Sequence, residues 1–571
     1  MTKPRYALGL DYGTNSCRAL VVNTLDGREV AASVFPYPSG EQGVILDSRE
    51  PDLARQHPRD YLDGLKAVVR GALERAQEAD GEFRPDHVVG IGVATTGSTP
   101  LPVDAQGEPL ALKPEYENNP HAMAWLWKDH TSHAEAAAIT AKALERRPRY
   151  LAKCGGTYSS EWYWSKIWRC QRVAPEVFAA AHSFMECCDW IPACLCGNVS
   201  PDTIRRGVCA AGHKAMYARE WGGWPDADFL AELDPGLAAL RERLGTEVWT
   251  ADRPAGRLTP EWAETLGLPA GIAVAVGAFD AHMGAVGAGI EEGTLVKILG
   301  TSTCDMMVKR NTTALADIPG VCGIVDGSVL PGFYGIEAGQ SAVGDIFLWF
   351  VHRLVPERYG RTDDEKFSAL NAAAAAQRPG EHGLLALDWN NGNRTILTDA
   401  RLTGLLLGQT LHTEPAEIYR ALIEATAFGA LTIIERIEAY GAPVETIVNC
   451  GGLAVKNPLL MQIYADVTRR PMRISGSDQA CALGAALFGA VAAGAEQSGF
   501  ENVAQAQARL CNLRETTYLP VAAHAEVYGR LYPLYRDLHD AFGAVEWNGD
   551  LGHAMKTLIA IRDEQRGKTK A

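Results

Sequence analysis

Two turns of the same design, one near the start of the chain and one in its second half, constrain the fold more than any other feature. Gly13-Thr14-Asn15-Ser16-Cys17 and Gly300-Thr301-Ser302-Thr303-Cys304 share glycine, threonine and cysteine in register, and each follows a short apolar strand. Glycine and hydroxyl residues at a strand end present backbone N–H groups to an anion the size of phosphate. Two such turns imply a duplicated domain with a cleft between the copies. Shortly before the second turn, Asp280 stands alone after the apolar segment Ile272 to Val276, in Gly277-Ala278-Phe279-Asp280-Ala281-His282. An isolated acid and phosphate-sized turns at strand ends are the parts from which phosphoryl transfer is commonly built.

At 571 residues the chain is long enough for two or three domains. Its net charge of −15 argues against nucleic acid or an anionic membrane as the main partner, while leaving room for a small basic pocket. No apolar run reaches the roughly 18 residues of a membrane span. Met1 to Tyr6 leads straight into a strand, without the basic-then-apolar pattern of an export signal. The 13 cysteines show no metal spacing, Cys187-Cys188 and Cys194-x-Cys196 being the closest groups. A reduced, cytoplasmic protein is the expectation.

Along the chain, Arg5 to Leu10 and Cys17 to Val22 read as strands around the turn Asp11 to Ser16. A third strand, Glu29 to Phe35, follows the tight turn Leu25-Asp26-Gly27. This is an antiparallel meander rather than a βαβ start. Helical spacing covers Pro58 to Glu78, and Val88 to Ala94 reads as a buried strand ending in Thr95-Thr96-Gly97-Ser98-Thr99-Pro100. Residues 112 to 225 are irregular and rich in tryptophan; either aromatic packing or a polyol site suits that composition. Later, a helix is expected over Val343 to Leu354, a polar, alanine-rich helix and connection over 356 to 382, and a long helix over Pro415 to Ala439. A small-residue helix suited to close packing is expected over Cys481 to Ala493. The basic end, Arg566 to Ala571, reads as frayed.

The ordered set Leu8-Gly9-Leu10-Asp11-Tyr12-Gly13-Thr14-Asn15-Ser16-Cys17-Arg18, Gly277-Ala278-Phe279-Asp280, Gly300-Thr301-Ser302, Gly451-Gly452 with Asn457, Gln462 and Asp466, and Ala482-Leu483-Gly484-Ala485-Ala486 resembles the FGGY carbohydrate kinases. A second set resembles the ribulokinase branch of that family. It comprises Thr96 to Pro100, Leu126-Trp127-Lys128-Asp129-His130, Tyr158-Ser159-Ser160-Glu161-Trp162, Ile204 to Gly207, Gly212-His213-Lys214 and Glu337-Ala338-Gly339-Gln340-Ser341. The resemblance runs from about residue 5 to about residue 495.

What the resemblance implies is an α/β protein of two actin-like (ribonuclease-H-like) ATPase domains with a central catalytic cleft. Their spans would be 1–289, with sugar-binding insertions, and 290–545 on the nucleotide side, with a tail over 546–571. It also implies ATP-dependent phosphorylation of L-ribulose, or of other pentuloses, in L-arabinose breakdown. ATP would be cradled by Gly13, Thr14, Asn15, Ser16, Arg18, Gly300, Thr301 and Ser302, with Gly451, Gly452 and Asn457 toward its adenosine side and Gly339 also near the nucleotide. Asp280 falls at the family's catalytic-base position. Asp11 and Asp280 would hold Mg²⁺, whose charge removes the repulsion between a carboxylate and phosphates. Thr96, Gly97, Lys214 and Glu337 fall on the sugar side. Trp127 and Trp162 read as pocket wall or packing, His213 and His282 as structural, and Gly155-Gly156 as a loop. ATP and sugar are expected to draw the halves together. A homodimer is one assembly open to such a protein, and the segment 355–382 is shorter than the family usually carries. Two rival readings are a kinase of the same family for xylulose, glycerol or a deoxysugar, and an actin-like nucleotide switch without a sugar acceptor.

Overall fold

A computed structural model describes residues 5–544 and 546–567. In the first half, Tyr6–Tyr12, Ser16–Asn23 and Glu29–Pro36 form the antiparallel meander. Val88–Thr95 pairs parallel with Tyr6–Tyr12, Ala273–Ala275 continues in parallel, and Pro254–Arg257 closes the edge antiparallel. The second half repeats this order. Thr294–Leu299 is antiparallel to Thr303–Arg310, which pairs with Phe333–Ala338. On the other side it runs parallel to Thr446–Cys450, followed by Met472–Ser475 in parallel and Leu513–Tyr518 antiparallel. The chain is therefore two copies of one α/β plan, as the paired turns require.

The two hairpins are not in register, however. Tyr12 pairs with Cys17 across four residues, whereas Leu299 pairs with Thr303 across three. Side chains alternate between faces along a strand, so the one-residue difference turns the two cysteines to opposite environments. Cys17 lies in the core of the first half, and Cys304 faces the cleft. Asp11, expected in the turn, is instead the penultimate residue of its strand.

What joins the halves is the helix Ala480–Ala493, apolar on all sides and largely buried. Residues Tyr6, Leu8, Leu10 and Tyr12 point to the helix Pro58–Ala79, while Ala7 and Gly9 point to this second-half helix. A Cβ on Gly9 would lie 1.8 Å from the Ala482 carbonyl oxygen, and one on Gly92 would lie 1.8 Å from that of Ala485. The helix in turn packs against Asp280–Gly287, where a Cβ on Gly484 would lie 1.8 Å from the Met283 carbonyl oxygen. Backbone thus rests on backbone. Among the described residues no single helix is long and apolar enough to cross a membrane.

In the irregular region 112–225, Trp125, Trp164 and Trp190 are buried packing, and Trp127 and Trp162 reach the cleft. Residues 356–382 hold the helix Asp363–Ala375, started by a Thr362–Glu365 capping box. The expected tail over 546–571 is not separate. Its helix Ala554–Gln565 buries Leu558 and Ile561 in the core of the second half, because those residues make an apolar stripe. Arg566 donates to the Glu381 carbonyl, while residues 568–571 of the basic end lie outside the described residues.

Gly92→Ala should destabilise the protein by about 1–3 kcal/mol or more, since neither backbone can retreat. Gly81→Ala, where nothing lies within 4 Å of the added methyl, should be neutral. Urea midpoints compare the two; an unchanged Gly92→Ala midpoint would refute backbone contact as the joint.

Candidate active site

The two turns, the lone acid and the sugar-side residues meet in one cavity of about 260 Å³ between the halves. Of the residues expected from sequence, Thr14, Gly97, Lys214, Asp280, Gly300, Thr301, Ser302 and Glu337 line it.

The first turn is closed by Gly13 N–H donating to the Ser16 carbonyl at 2.9 Å. Gln56, itself held by the Tyr61 hydroxyl, donates to the Thr14 carbonyl at 2.8 Å. The Trp127 indole donates to Thr14 Oγ1 at 3.0 Å, which fixes that tryptophan as cavity wall. The second turn closes with Gly300 N–H donating to the Ser302 carbonyl at 3.0 Å. The first turn of the helix Gly344–Leu354 clasps its carbonyls: Gly344 N–H reaches Gly300 and Asp345 N–H reaches Thr301. With those carbonyls engaged, the turn is rigid from behind. Beneath it the Lys297 ammonium meets Asp305 at 2.7 Å and Gln340 Oε1 at 3.0 Å, and Gln340 donates onward to Asp388.

Asp280 begins the helix Asp280–Gly287 and accepts from Ala281 N–H through Oδ1 at 2.7 Å. Burial, and then the negative charge of Asp11, push its carboxyl up to about 7. Burial also raises Asp11, opposed by Arg18, whose Nε lies 3.5 Å from Asp11 Oδ2. Two carboxylates thus share a poorly solvated corner beside the turns. On the opposite wall, Lys214 Nζ donates to Glu337 Oε1 at 2.7 Å. Against burial, Lys214 and then His213 and His282 hold Glu337 well below the usual carboxylate range, and Glu337 keeps Lys214 charged.

Several expected residues stand elsewhere. Thr96 turns its hydroxyl to Thr99 Oγ1 at 2.9 Å, leaving Gly97 and Ser98 to face the cavity. Asn457 caps the helix Pro458–Thr468 by accepting from Leu460 N–H, and it donates to the Tyr419 hydroxyl, so its side chain is already engaged. Gly339 lines a separate small cavity beside Arg394. Asn15 and Ser16 share the first turn without lining the cavity, and Arg18 reaches toward Gln479. Gly451 and Gly452 are exposed, Gly451 packing on the Leu299 carbonyl next to the second turn.

Others were not foreseen. His282, expected to be structural, lines the cavity with neither ring nitrogen hydrogen-bonded. Burial holds it down to about 4 and also lowers His213. Arg394 enters from the loop after Trp389 and donates to the Thr303 carbonyl at 2.6 Å. Only its Asn391-Gly392-Asn393 turn could have drawn attention in the sequence. Glu186 accepts from the Ser98 hydroxyl and Thr99 N–H, and Lys166 donates to the Ser98 carbonyl. Together they hold the cavity turn, with Ser98 at φ 25°. Burial raises Glu186 and lowers Lys166.

Both halves of the chain are similar to known proteins. Residues 6–287 match the N-terminal domain, and residues 295–493 the C-terminal domain, of the FGGY family of carbohydrate kinases. The chain is 43% identical to a ribulokinase from Shouchella clausii, covering 99% of each chain. It is 41% identical to a ribulokinase from Mycolicibacterium smegmatis, covering 95% of this chain and 94% of that one. Among solved structures, a xylulose kinase from Rhodospirillum rubrum superposes with a TM-score of 0.75 at 24% identity, covering 94% of this chain and 99% of that chain. Plasmodium falciparum glycerol kinase with ADP superposes with a TM-score of 0.74 at 14% identity, covering 95% and 99%. At these identities the two structures establish the shared fold.

Asp280 gives a pH-dependent stability. Its folded pKa lies above the ordinary carboxylate value, so its charge opposes folding above about 7, and the penalty disappears as pH falls toward the unfolded value. Asp280→Asn should therefore melt a few degrees higher than wild type at about pH 8, with the gap narrowing as pH falls and closing near about pH 4. A gap independent of pH would show that Asp280 is not strained in the fold.

Proposed function

The chain belongs to the FGGY family of carbohydrate kinases, and on that premise we propose that it transfers the γ-phosphoryl group of ATP to L-ribulose, giving L-ribulose 5-phosphate and ADP. The observation that carries this reading is the convergence of Asp280, both phosphate-sized turns and the Lys214–Glu337 pair on one cavity. The ribulokinase name of the relatives above 40% identity favours this sugar over those of the more distant structural neighbours.

In this reading the backbone N–H groups of Thr14, Asn15 and Ser16 and those of Thr301 and Ser302 receive the phosphates from the two halves, with Gly451 and Gly452 beside them on the adenosine side. Lys214 donates to a carbonyl or hydroxyl oxygen of the sugar and Glu337 accepts from its hydroxyls. Trp127 and Trp162 offer apolar faces to its C–H groups. Gly97 and Ser98 replace Thr96 as the contacts from that turn. Asp280 takes the proton of the 5-hydroxyl as its oxygen bonds to the γ-phosphorus; the bond from that phosphorus to the β-phosphate oxygen breaks and ADP departs. A base so placed contributes about 10²–10⁴-fold.

Asp11 and Asp280 suit a hard divalent cation. Both are carboxylates, Asp280 uses only Oδ1 for a hydrogen bond, and their mutual repulsion is part of what raises Asp280. Mg²⁺ held there would offset the charge between these carboxylates and the phosphates. The thirteen free thiols suit a reducing compartment such as the cytoplasm.

A coupled ADP-release assay with ATP and Mg²⁺, run over ketopentoses, pentitols and glycerol, tests the reading. L-Ribulose should give the highest kcat/KM, and Asp280→Asn should lose at least about 10²-fold in kcat. Preference for xylulose or glycerol would discard the sugar assigned here. ATP binding with no sugar-dependent turnover would discard the transfer itself.

A further inference from the structure

Beside the two carboxylates lies a second group of unpaired donors. His213 is the penultimate residue of the helix Val208–Lys214, His282 lies in the first turn of Asp280–Gly287, and Glu337 sits on Phe333–Ala338. The three come from separate elements and are 2%, 2% and 7% exposed. Glu337 Oε1 is occupied by Lys214, but Glu337 Oε2, His213 Nδ1 and both nitrogens of His282 are buried without a hydrogen bond. Leaving that many polar atoms unpaired is costly unless a ligand uses them.

Their spacing suits a particular ligand. Glu337 Oε2 lies 3.3 Å from His213 Nδ1 and 3.6 Å from His282 Nε2, and one ligand atom from each residue fits within 4.8 Å of the others. A tetrahedral ion with bonds of about 2.0–2.1 Å spaces its ligands about 3.3–3.4 Å apart. Two imidazoles and one carboxylate form a zinc-type donor set, unlike the all-oxygen pair Asp11 and Asp280. The outer contacts match as well: Ser328 Oγ holds His213 Nε2 at 2.9 Å, and Lys214 holds the other oxygen of Glu337. Since His282 and Glu337 line the cavity, the fourth position opens where the sugar would lie.

We propose that His213, His282 and Glu337 bind a transition-metal ion of the Zn²⁺ class, and that this ion excludes the sugar. The exclusion rests on the sugar-kinase reading; the metal site does not. The ammonium of Lys214 limits the affinity, so the ion acts as a reversible inhibitor rather than a permanent component.

Co²⁺ titrated into the full-length protein, without ATP or sugar, is the test. One saturable tetrahedral visible spectrum is expected, displaced by Zn²⁺ and by L-ribulose. His282→Gln and His213→Gln should each weaken Co²⁺ binding at least about 10-fold while melting as folded proteins without metal. In turnover, Zn²⁺ should raise the KM for L-ribulose and leave kcat unchanged. No saturable spectrum, or one unaltered in both variants, would overturn the site. Co²⁺ binding without displacement by L-ribulose would overturn the exclusion. A protein that binds Co²⁺ at these residues yet turns over no sugar would keep the site and discard the kinase reading; the converse would discard only the site.

Discussion

The distance between the two halves is set by backbone meeting backbone. Helix Ala480–Ala493 from the second half lies on Gly9, Gly90 and Gly92 of the first sheet and on the helix that Asp280 begins, too close for any Cβ at those glycines. Close-packed contacts of this kind are poorly compressible and tolerate little added volume. Because Gly9 and Gly92 belong to the strands that lead to the first turn and to the Thr95–Pro100 turn, the same contact aims both loops at the second half. Everything the cavity does with charge depends on that aim.

Around the cavity, which Asp280 lines and beside which Asp11 is buried, charge is divided. Asp11 and Asp280 face the turns as a like-charged pair, and the second of them is held near neutrality of its proton equilibrium by burial and by the first. Lys214 and Glu337 face them as an opposite-charged pair that stays ionised despite burial. A base needs the former setting and a hydroxyl-binding wall needs the latter. The histidines His213 and His282 lie against Glu337 on that same wall, where their unpaired nitrogens are open to whatever binds.

Much of this was legible in the residues. The two turns and Asp280 are local patterns, and local patterns survive without knowledge of packing. The long helix Pro415–Ala439 and the small-residue helix were legible for the same reason, through their periodicity and composition. What sequence could not resolve was which way a side chain points once a neighbour claims it. Thr96 is engaged by Thr99 and Asn457 by the helix it caps, so each side chain already has a partner within the chain. Arg394 and the Glu186–Lys166 support reach the cavity only through contacts far apart in the chain. The shared letters of the two turns also concealed a loop one residue shorter in the second, which sends Cys304 toward the cleft and Cys17 into the core.

In the proposed reaction Asp280, raised by its surroundings, is the proton acceptor. The pH dependence of kcat/KM for L-ribulose tests this most directly, because it reports the titration of the free enzyme's essential base. The rate should climb with pH through an apparent pKa of about 7 and then level off. A profile that stays flat from about pH 5 to about pH 9 would contradict it.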